Sequence, residues 1–383
     1  MDVVQLRQMN FNKYRSQFLL LFITFLSSAL IWLAFYKNLP LKLGFPETSL
    51  ETVFANYDGP NYMVIAKCAY NKDCIAKNFS LPLPLEYYPA HLPGFPLLIK
   101  YFTLYTNTPK AMLLATLFGS LLFTLTSYYF YKLFFKEKTA FWLALLSIFF
   151  PARLFVLRLV GAPETWFLSF ILFSLIFYKK KNFWLSAIFA ALSQLLKSPG
   201  ILLFAAYFVI AFIDYSKTKK LNLNYLVYLL VPFTALAIFY SYYLQTGDFL
   251  AYFHSGDNFH LTPFPYQVFV STRSWINTIW LEDVIYIFAL VFFALKNLWK
   301  KFKLDILFIY PLVFTIATVL VAHRDISRYL APVYPFVFLA FGRKIASSKT
   351  HLLFFLLIPA VILYAINFIV GNTAPITTWA PYL

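Results

Sequence analysis

Roughly eleven apolar runs, at 18–36, 110–133, 139–157, 163–178, 183–197, 199–213, 223–244, 281–296, 304–322, 328–342 and 351–371, take up most of this chain of 383 residues. A run of ~20 apolar residues crosses the ~30 Å hydrocarbon layer of a bilayer as one helix. Lipid offers no partner to an open backbone amide or carbonyl, so a chain with such runs must fold as helices. The expectation is an all-α polytopic membrane protein with about eleven transmembrane helices in a single integral domain, 1–383. Several runs fall short of the full span, and bundle contacts or broken-helix pairs must then cover their ends. The first, Phe18 to about Tyr36, has a basic flank and no small-residue cleavage site, and it reads as a retained signal anchor.

The content agrees with this reading: 61% hydrophobic and 12% charged residues, where soluble domains carry about 25% charged. The 47 Phe and 28 Tyr fill helix contacts and interfacial belts. A net charge of +17 would suit nucleic acid, but the Lys and Arg fall in short clusters between apolar runs, where they act as topology signals. Nucleic acid is therefore not an expected partner.

The clusters give an orientation. With the N-terminus in the cytoplasm, Arg7, Lys13 and Arg15 lie inside. So do Lys132, Lys136 and Lys138, then Lys179–Lys181, Lys217–Lys220, Lys296–Lys303, and Arg343 with Lys344 and Lys349. Every second connection is basic, as the positive-inside rule requires of the cytoplasmic side. The expected location is a multi-pass plasma membrane protein whose polar apparatus is extracytoplasmic. That apparatus comprises a first extracytoplasmic loop at 37–108, a second at 245–281, and turns near Arg158–Glu164, Lys197 and His323–Arg328. The stretch 92–106, with Pro93, Pro96 and Lys100, reads as a helix along the outer interface.

Residues 54–99 form the long polar stretch, and they hold most of the concentrated acid-base chemistry. In Tyr57-Asp58-Gly59-Pro60 a carboxylate sits at a forced turn. It can act as a general base toward an acceptor hydroxyl, and it can equally cap a helix or close an Asx turn. Arg324 and Arg328 are one helical turn apart and can grip a phosphate from one side, or else snorkel to headgroups or pair with Asp325. Glu164 stands at the first turn of a helix, where the dipole alone favours it; beside an Arg-lined cavity it would also orient arginines or touch a sugar. Arg158 and Lys197 are further phosphate candidates. His91, His254, His323, Glu86 and Tyr62 are candidates for sugar or acceptor contacts. Cys68 and Cys74 allow a small disulfide-closed turn in a compartment where disulfides persist, and a free pair is equally open. No metal-ligand set and no phosphate-cradling Gly loop occurs, so neither a metal nor a cofactor is expected.

Two strings carry a resemblance: Tyr57-Asp58-Gly59-Pro60-Asn61-Tyr62-Met63-Val64-Ile65-Ala66, and Tyr87-Tyr88-Pro89-Ala90-His91-Leu92-Pro93-Gly94-Phe95-Pro96-Leu97-Leu98-Ile99. Together they resemble the first external loop of the GT-C glycosyltransferases, most nearly the microbial relatives of the mannosyltransferase that adds the second mannose to GPI anchors. Tyr57 replaces that family's usual Trp. Gly247-Asp248-Phe249-Leu250-Ala251-Tyr252-Phe253-His254 is similar to a Gly-Asp element of the family, and Arg328-Tyr329-Leu330-Ala331-Pro332 to its late Arg-Tyr motif. The second acid that some relatives carry falls on Glu51 or Glu86.

The resemblance implies a GT-C type fold and a polyprenyl-phosphate sugar donor. It further implies inverting transfer at the outer face, with Asp58 as base. The expected acceptor is an extracytoplasmic glycan, glycolipid or protein, and the expected state is a monomer among membrane lipid. Transfer of an aminosugar to a lipid is an alternative on the same architecture. A flippase of lipid-linked sugars is another; it calls for midplane charges and an internal repeat, neither of which the sequence displays.

Overall fold

The chain enters on one long helix, α1 (Val3–Tyr36), which stops where Asn38 takes a left-handed φ of 51° and its side chain accepts a bond from the Thr48 amide. This computed structural model describes residues 3–56, 58–256, 260–265, 269, 280–323 and 325–383, the side chains of 3–13, 280 and 281 excepted. Four short helices fill the first loop: α2 (Leu50–Phe54), α3 (Gly59–Cys68), α4 (Lys72–Asn78) and α5 (Gly94–Phe102). Polar residues start two of them, Ser49 through a capping box and Asn71 by accepting from the Cys74 amide. Cys68 and Cys74 form a disulfide that closes the turn between α3 and α4.

The long elements follow. They are α6 (Thr108–Lys132), α7 (Glu137–Phe149), the short α8 (Ala152–Leu157), α9 (Glu164–Lys179), α10 (Phe183–Leu196), α11 (Ile201–Thr218) and α12 (Leu230–Thr246). After α13 (Ala251–His254) come α14 (Trp280–Phe302), α15 (Ile306–Val319), the single turn α16 (Ile326–Tyr329), α17 (Tyr334–Ile345) and α18 (Ser348–Gly371). Among the described residues every named element is helical, and the extended pairing consists of two isolated bridges.

Each apolar run of the sequence contains a helix, but the helices are unequal. Among the described residues five segments, Tyr14–Tyr36, Thr108–Lys132, Ser198–Thr218, Leu223–Thr246 and Ser348–Gly371, are long and apolar enough to cross a membrane. The 139–157 run is not one span: a cis Phe150-Pro151 bond separates α7 from α8. The 328–342 run is likewise divided, into α16, a 3-10 turn and the 12-residue α17. At 1.5 Å per residue α17 covers only ~18 Å, well under a full crossing.

The axis of the bundle is α6, the most buried of the five long segments, packed against α1, α5, α7 and α9. Its Thr116, Ser120 and Thr124 recur every fourth residue on a buried face, each hydroxyl bonding the carbonyl four residues back. Thr124 also meets Thr24 of α1 at 2.9 Å. Small hydroxyl residues let helices approach closely where no water competes, and such bonds contribute about 0.6–2 kcal/mol each. Outer rows of α11, α12 and α18 leave large apolar side chains exposed, among them Phe208, Phe212, Phe233, Leu352 and Leu356, as lipid-facing surfaces do. In α5, Phe95, Pro96 and Ile99 are buried, whereas Leu97 and Tyr101, followed by Leu104 and Tyr105, form an exposed apolar row.

Two features bring the first loop over the bundle. At Gly161, a Cβ would lie 2.9 Å from Gly59 Cα and 2.2 Å from Met112 Sδ, so only glycine lets the turn before α9 touch the turn that carries Asp58. The second is the C-terminal segment. Asn56 donates to the carbonyls of Ile369 and Asn372 at 2.8 and 2.9 Å, and the Ala374 amide bonds Ala55 O. The chain two residues before Asp58 is thereby tied to the end of α18.

Candidate active site

These elements enclose a cavity of about 1100 Å³ whose polar wall joins Asp58, Glu164, Lys197 and Arg328. The four come from the turn before α3, the first residue of α9, the break between α10 and α11, and α16. An apolar wall adjoins them, including Phe167, Leu196, Leu202, Phe314 and Val321.

Asp58 occupies the N-cap position of α3, yet its side chain makes no capping bond. It turns into the cavity, where Oδ2 accepts from Arg328 Nη2 at 3.1 Å and Oδ1 lies 3.7 Å from His91 Nε2. Burial by itself would raise this carboxyl, but the Arg328 guanidinium and then His91 outweigh it and hold the group well below the usual carboxylate range. Asp58 is thus ionised at neutral pH. Tyr62 and Tyr87 line the same wall, and the His91 ring packs edge-on against both, at 5.0 and 5.3 Å. Burial first, then the Asp58 charge, pushes both phenols above their ordinary values.

Glu164 is 2% exposed. Its Oε1 accepts from Arg328 Nε at 2.6 Å and from Lys197 Nζ at 2.7 Å. Among the described residues its Oε2, which is buried, has no hydrogen-bond partner, so it is through Oε1 that the carboxylate meets the two cations. Glu164 thus lies against both cations of the wall. Arg328 meets two carboxylates through two nitrogens of its planar fork, an arrangement that fixes the guanidinium where Lys could hold only a point charge. A third acid, also on the cavity lining, supports it. Asp325 accepts the Arg328 backbone amide and is held bidentately by Arg153, whose guanidinium in turn stacks 3.8 Å over Phe368.

Other sequence candidates fall elsewhere. Arg158 is fully buried among the helices, with Nη1 bonding Ile148 O at 2.6 Å and Nη2 directed at Thr24 O. The Phe150-Pro151 break ends α7 and leaves its last carbonyls without intrahelical partners, and Arg158 serves one of them. It is not part of the cavity wall. Glu86 is exposed and pairs with Lys72 at 2.8 Å, and Glu51 is exposed on α2. His254 pairs with Asp248 at 2.7 Å on the surface; from the same Gly-Asp element it is Tyr252 that reaches the cavity, with its hydroxyl on Ser198 at 2.8 Å. His323 lines the wall, with Nδ1 accepting from the Asp325 amide and its ring stacked 4.6 Å from His260. Arg324 and Tyr57 lie outside the described residues, as does much of the 245–281 loop. Sequence reasoning did not single out Arg153, although a lone arginine just past a proline inside an apolar run is a signal for a paired buried cation.

The arrangement is chemically specific. An ionised carboxylate and two cations share one wall of a pocket whose other wall is apolar. Such a site can take a proton from a hydroxyl at Asp58 and hold an anionic group at Arg328 and Lys197.

The helical architecture matches the crystal structure of ArnT from Cupriavidus metallidurans bound to undecaprenyl phosphate, with a TM-score of 0.55 at 14% sequence identity over 90% of this chain and 63% of that one. The chain therefore spans just under two thirds of that neighbour's length. At this identity the likeness is one of fold: the two chains share a helical membrane-protein architecture. No protein-family model matches the sequence, and no curated protein matches it.

Proposed function

We propose that this protein is an inverting membrane glycosyltransferase of the GT-C type that moves a sugar from a polyprenyl-phosphate donor to an extracytoplasmic acceptor. The acceptor hydroxyl gives its proton to Asp58 as its oxygen attacks the anomeric carbon from the face opposite the phosphate. The bond from that carbon to the phosphate oxygen breaks, its electron pair stays on the oxygen, and polyprenyl phosphate leaves with one more negative charge than the donor carried. Arg328 and Lys197, rather than a metal ion, face that growing charge. Cations placed before the reaction lower the barrier because they interact more strongly with the transition state than with the ground state. Glu164 keeps both in position, and the apolar wall receives the first isoprene units. Mannose is the proposed sugar, on the first-loop resemblance.

The observation that carries the reading is the juxtaposition of an ionised, non-capping Asp58 with Arg328 and Lys197 in one cavity. A fold shared with a protein solved with undecaprenyl phosphate adds support for the donor class.

The test is transfer from radiolabelled polyprenyl-phosphate mannose to endogenous membrane acceptors by wild type and by Asp58→Asn. Label moved by wild type alone supports donor class, reaction and base together. Equal transfer by both removes Asp58 from the mechanism, and transfer by neither removes mannose and brings other lipid-linked sugars next.

A further inference from the structure

Four charges of the polar wall neutralise one another, and the remaining carboxylate of the lining, Asp325, is held by Arg153. Among the described residues, two carboxylates (Asp58 and Glu164) and two cations (Arg328 and Lys197) close on one another through contacts of 2.6 to 3.1 Å. A base already bound to a guanidinium is a poor base, and a guanidinium already bound to a carboxylate is a poor phosphate site. The two hands of Arg328 differ, however. Its Nε side rests on Glu164, which is buried and fixed between two cations. Its Nη2 side rests on Asp58, whose side chain is 27% exposed and borders the cavity. One contact can act as an anchor while the other opens.

On the reading that this site transfers sugar from a polyprenyl phosphate, we infer that Arg328 is an exchangeable partner: the donor phosphate draws its Nη2 edge off Asp58, Nε stays on Glu164, and that release frees the base. Charge bookkeeping favours the exchange throughout the reaction. At the start Asp58 and the phosphodiester each carry one negative charge. At the end Asp58 is protonated and neutral, and the phosphomonoester carries up to two. Negative charge thus moves from one side of Arg328 to the other, and a guanidinium that follows it stays paired at every stage.

Two consequences follow. Donor binds before the acceptor hydroxyl is deprotonated, because without phosphate Arg328 closes on Asp58 and holds the base. Departure of polyprenyl phosphate returns Arg328 to Asp58, and the empty enzyme rests in its closed, neutral form. Lys197 does not exchange in this way, since its Nζ rests 2.7 Å from the buried Glu164.

The experiment is dipolar-coupling solid-state NMR on the whole protein in lipid, labelled with [4-13C]aspartate and guanidino-15N arginine, with and without undecaprenyl phosphate. The Asp58–Arg328 coupling is assigned by its absence in Asp58→Asn and in Arg328→Lys, two variants that report independently should either fail to fold. Binding of radiolabelled undecaprenyl phosphate to the same sample is measured separately. The expected result is loss of the Asp58–Arg328 coupling at saturation and gain of a 31P coupling to the Arg328 guanidinium. Bound lipid with the Asp58–Arg328 coupling intact overturns the exchange and leaves the donor reading standing. Failure of the lipid to bind at all overturns both.

Discussion

Asp58 and Arg328 stand 270 residues apart in sequence and 3.1 Å apart in space. Neither is placed by its own helix in any ordinary way. Asp58 forgoes the capping bond its position offers, and Arg328 rides on a four-residue helix that is secured by Arg153 and Asp325. Both side chains are held by what they meet across the cavity, and the predictions below probe those contacts one at a time.

Glu164→Gln removes the acid that two cations share. Leaving a buried cation without its partner costs about 3–5 kcal/mol. The melting temperature in detergent should fall clearly, and transfer should fall with it because Arg328 and Lys197 lose their common anchor. A variant with unchanged melting temperature and full activity would remove Glu164 from the site.

Arg328→Ala and Arg158→Met should separate the two arginines cleanly. Loss of Arg328 takes away a cation facing the leaving phosphate, so turnover should drop by about 10²–10³-fold. Arg158→Met trades a buried charge that bonds backbone carbonyls for a side chain of similar length; it should change thermal stability while leaving affinity for undecaprenyl phosphate unaltered. Titration with the radiolabelled lipid reads both, and weakened binding in Arg158→Met would return that residue to the phosphate site.

The ion pair at Asp58 has a definite pH signature. Its carboxyl is held below its ordinary value in the folded protein, so the folded state binds the Asp58 proton less readily than the unfolded chain. The resulting stabilisation is complete above the unfolded value near 4 and is lost as pH falls through the lower folded value. Chemical unfolding of wild type and Asp58→Asn from pH 7 to pH 3 should show a stability difference that is level down to about pH 5 and narrows below about pH 4. A difference that grows on acidification would contradict the pairing.

Chelation offers a fourth check. If Arg328 and Lys197 meet the phosphate charge, excess EDTA should leave label transfer unchanged. Loss of transfer that added divalent cation restores would place a metal in the reaction instead.

How much of this was legible beforehand depends on the kind of information. Apolar runs are local, so the positions of the helices could be read from the chain, and the Tyr57-Asp58-Gly59-Pro60 turn and Arg328-Tyr329 string pointed at two residues of the wall. Lys197 and Glu164 were visible as charges at run boundaries. The same rule put Arg158 beside them, because a charge at a run boundary looks identical in sequence whether it faces a cavity or closes the end of a broken helix. The break at Pro151 also divides what reads as one span, and the run at 328–342 dissolves into short pieces for the same reason: hydropathy registers apolar content and is blind to where hydrogen bonding stops.

The sequence by itself determined that the chain is a helical membrane protein with one chemically rich loop, since hydrophobic run length and turn-forming residues act over a few neighbours. Only the tertiary structure decided which charges meet. That Arg328 lies between Asp58 and Glu164, that Glu164 serves two cations, and that Arg153 holds Asp325 all depend on contacts between elements far apart along the chain. The close approach at Gly161 and the Asn56 tie to the end of α18 set those contacts. An ion pair is fixed by distance in space, and no local pattern in the sequence encodes that distance.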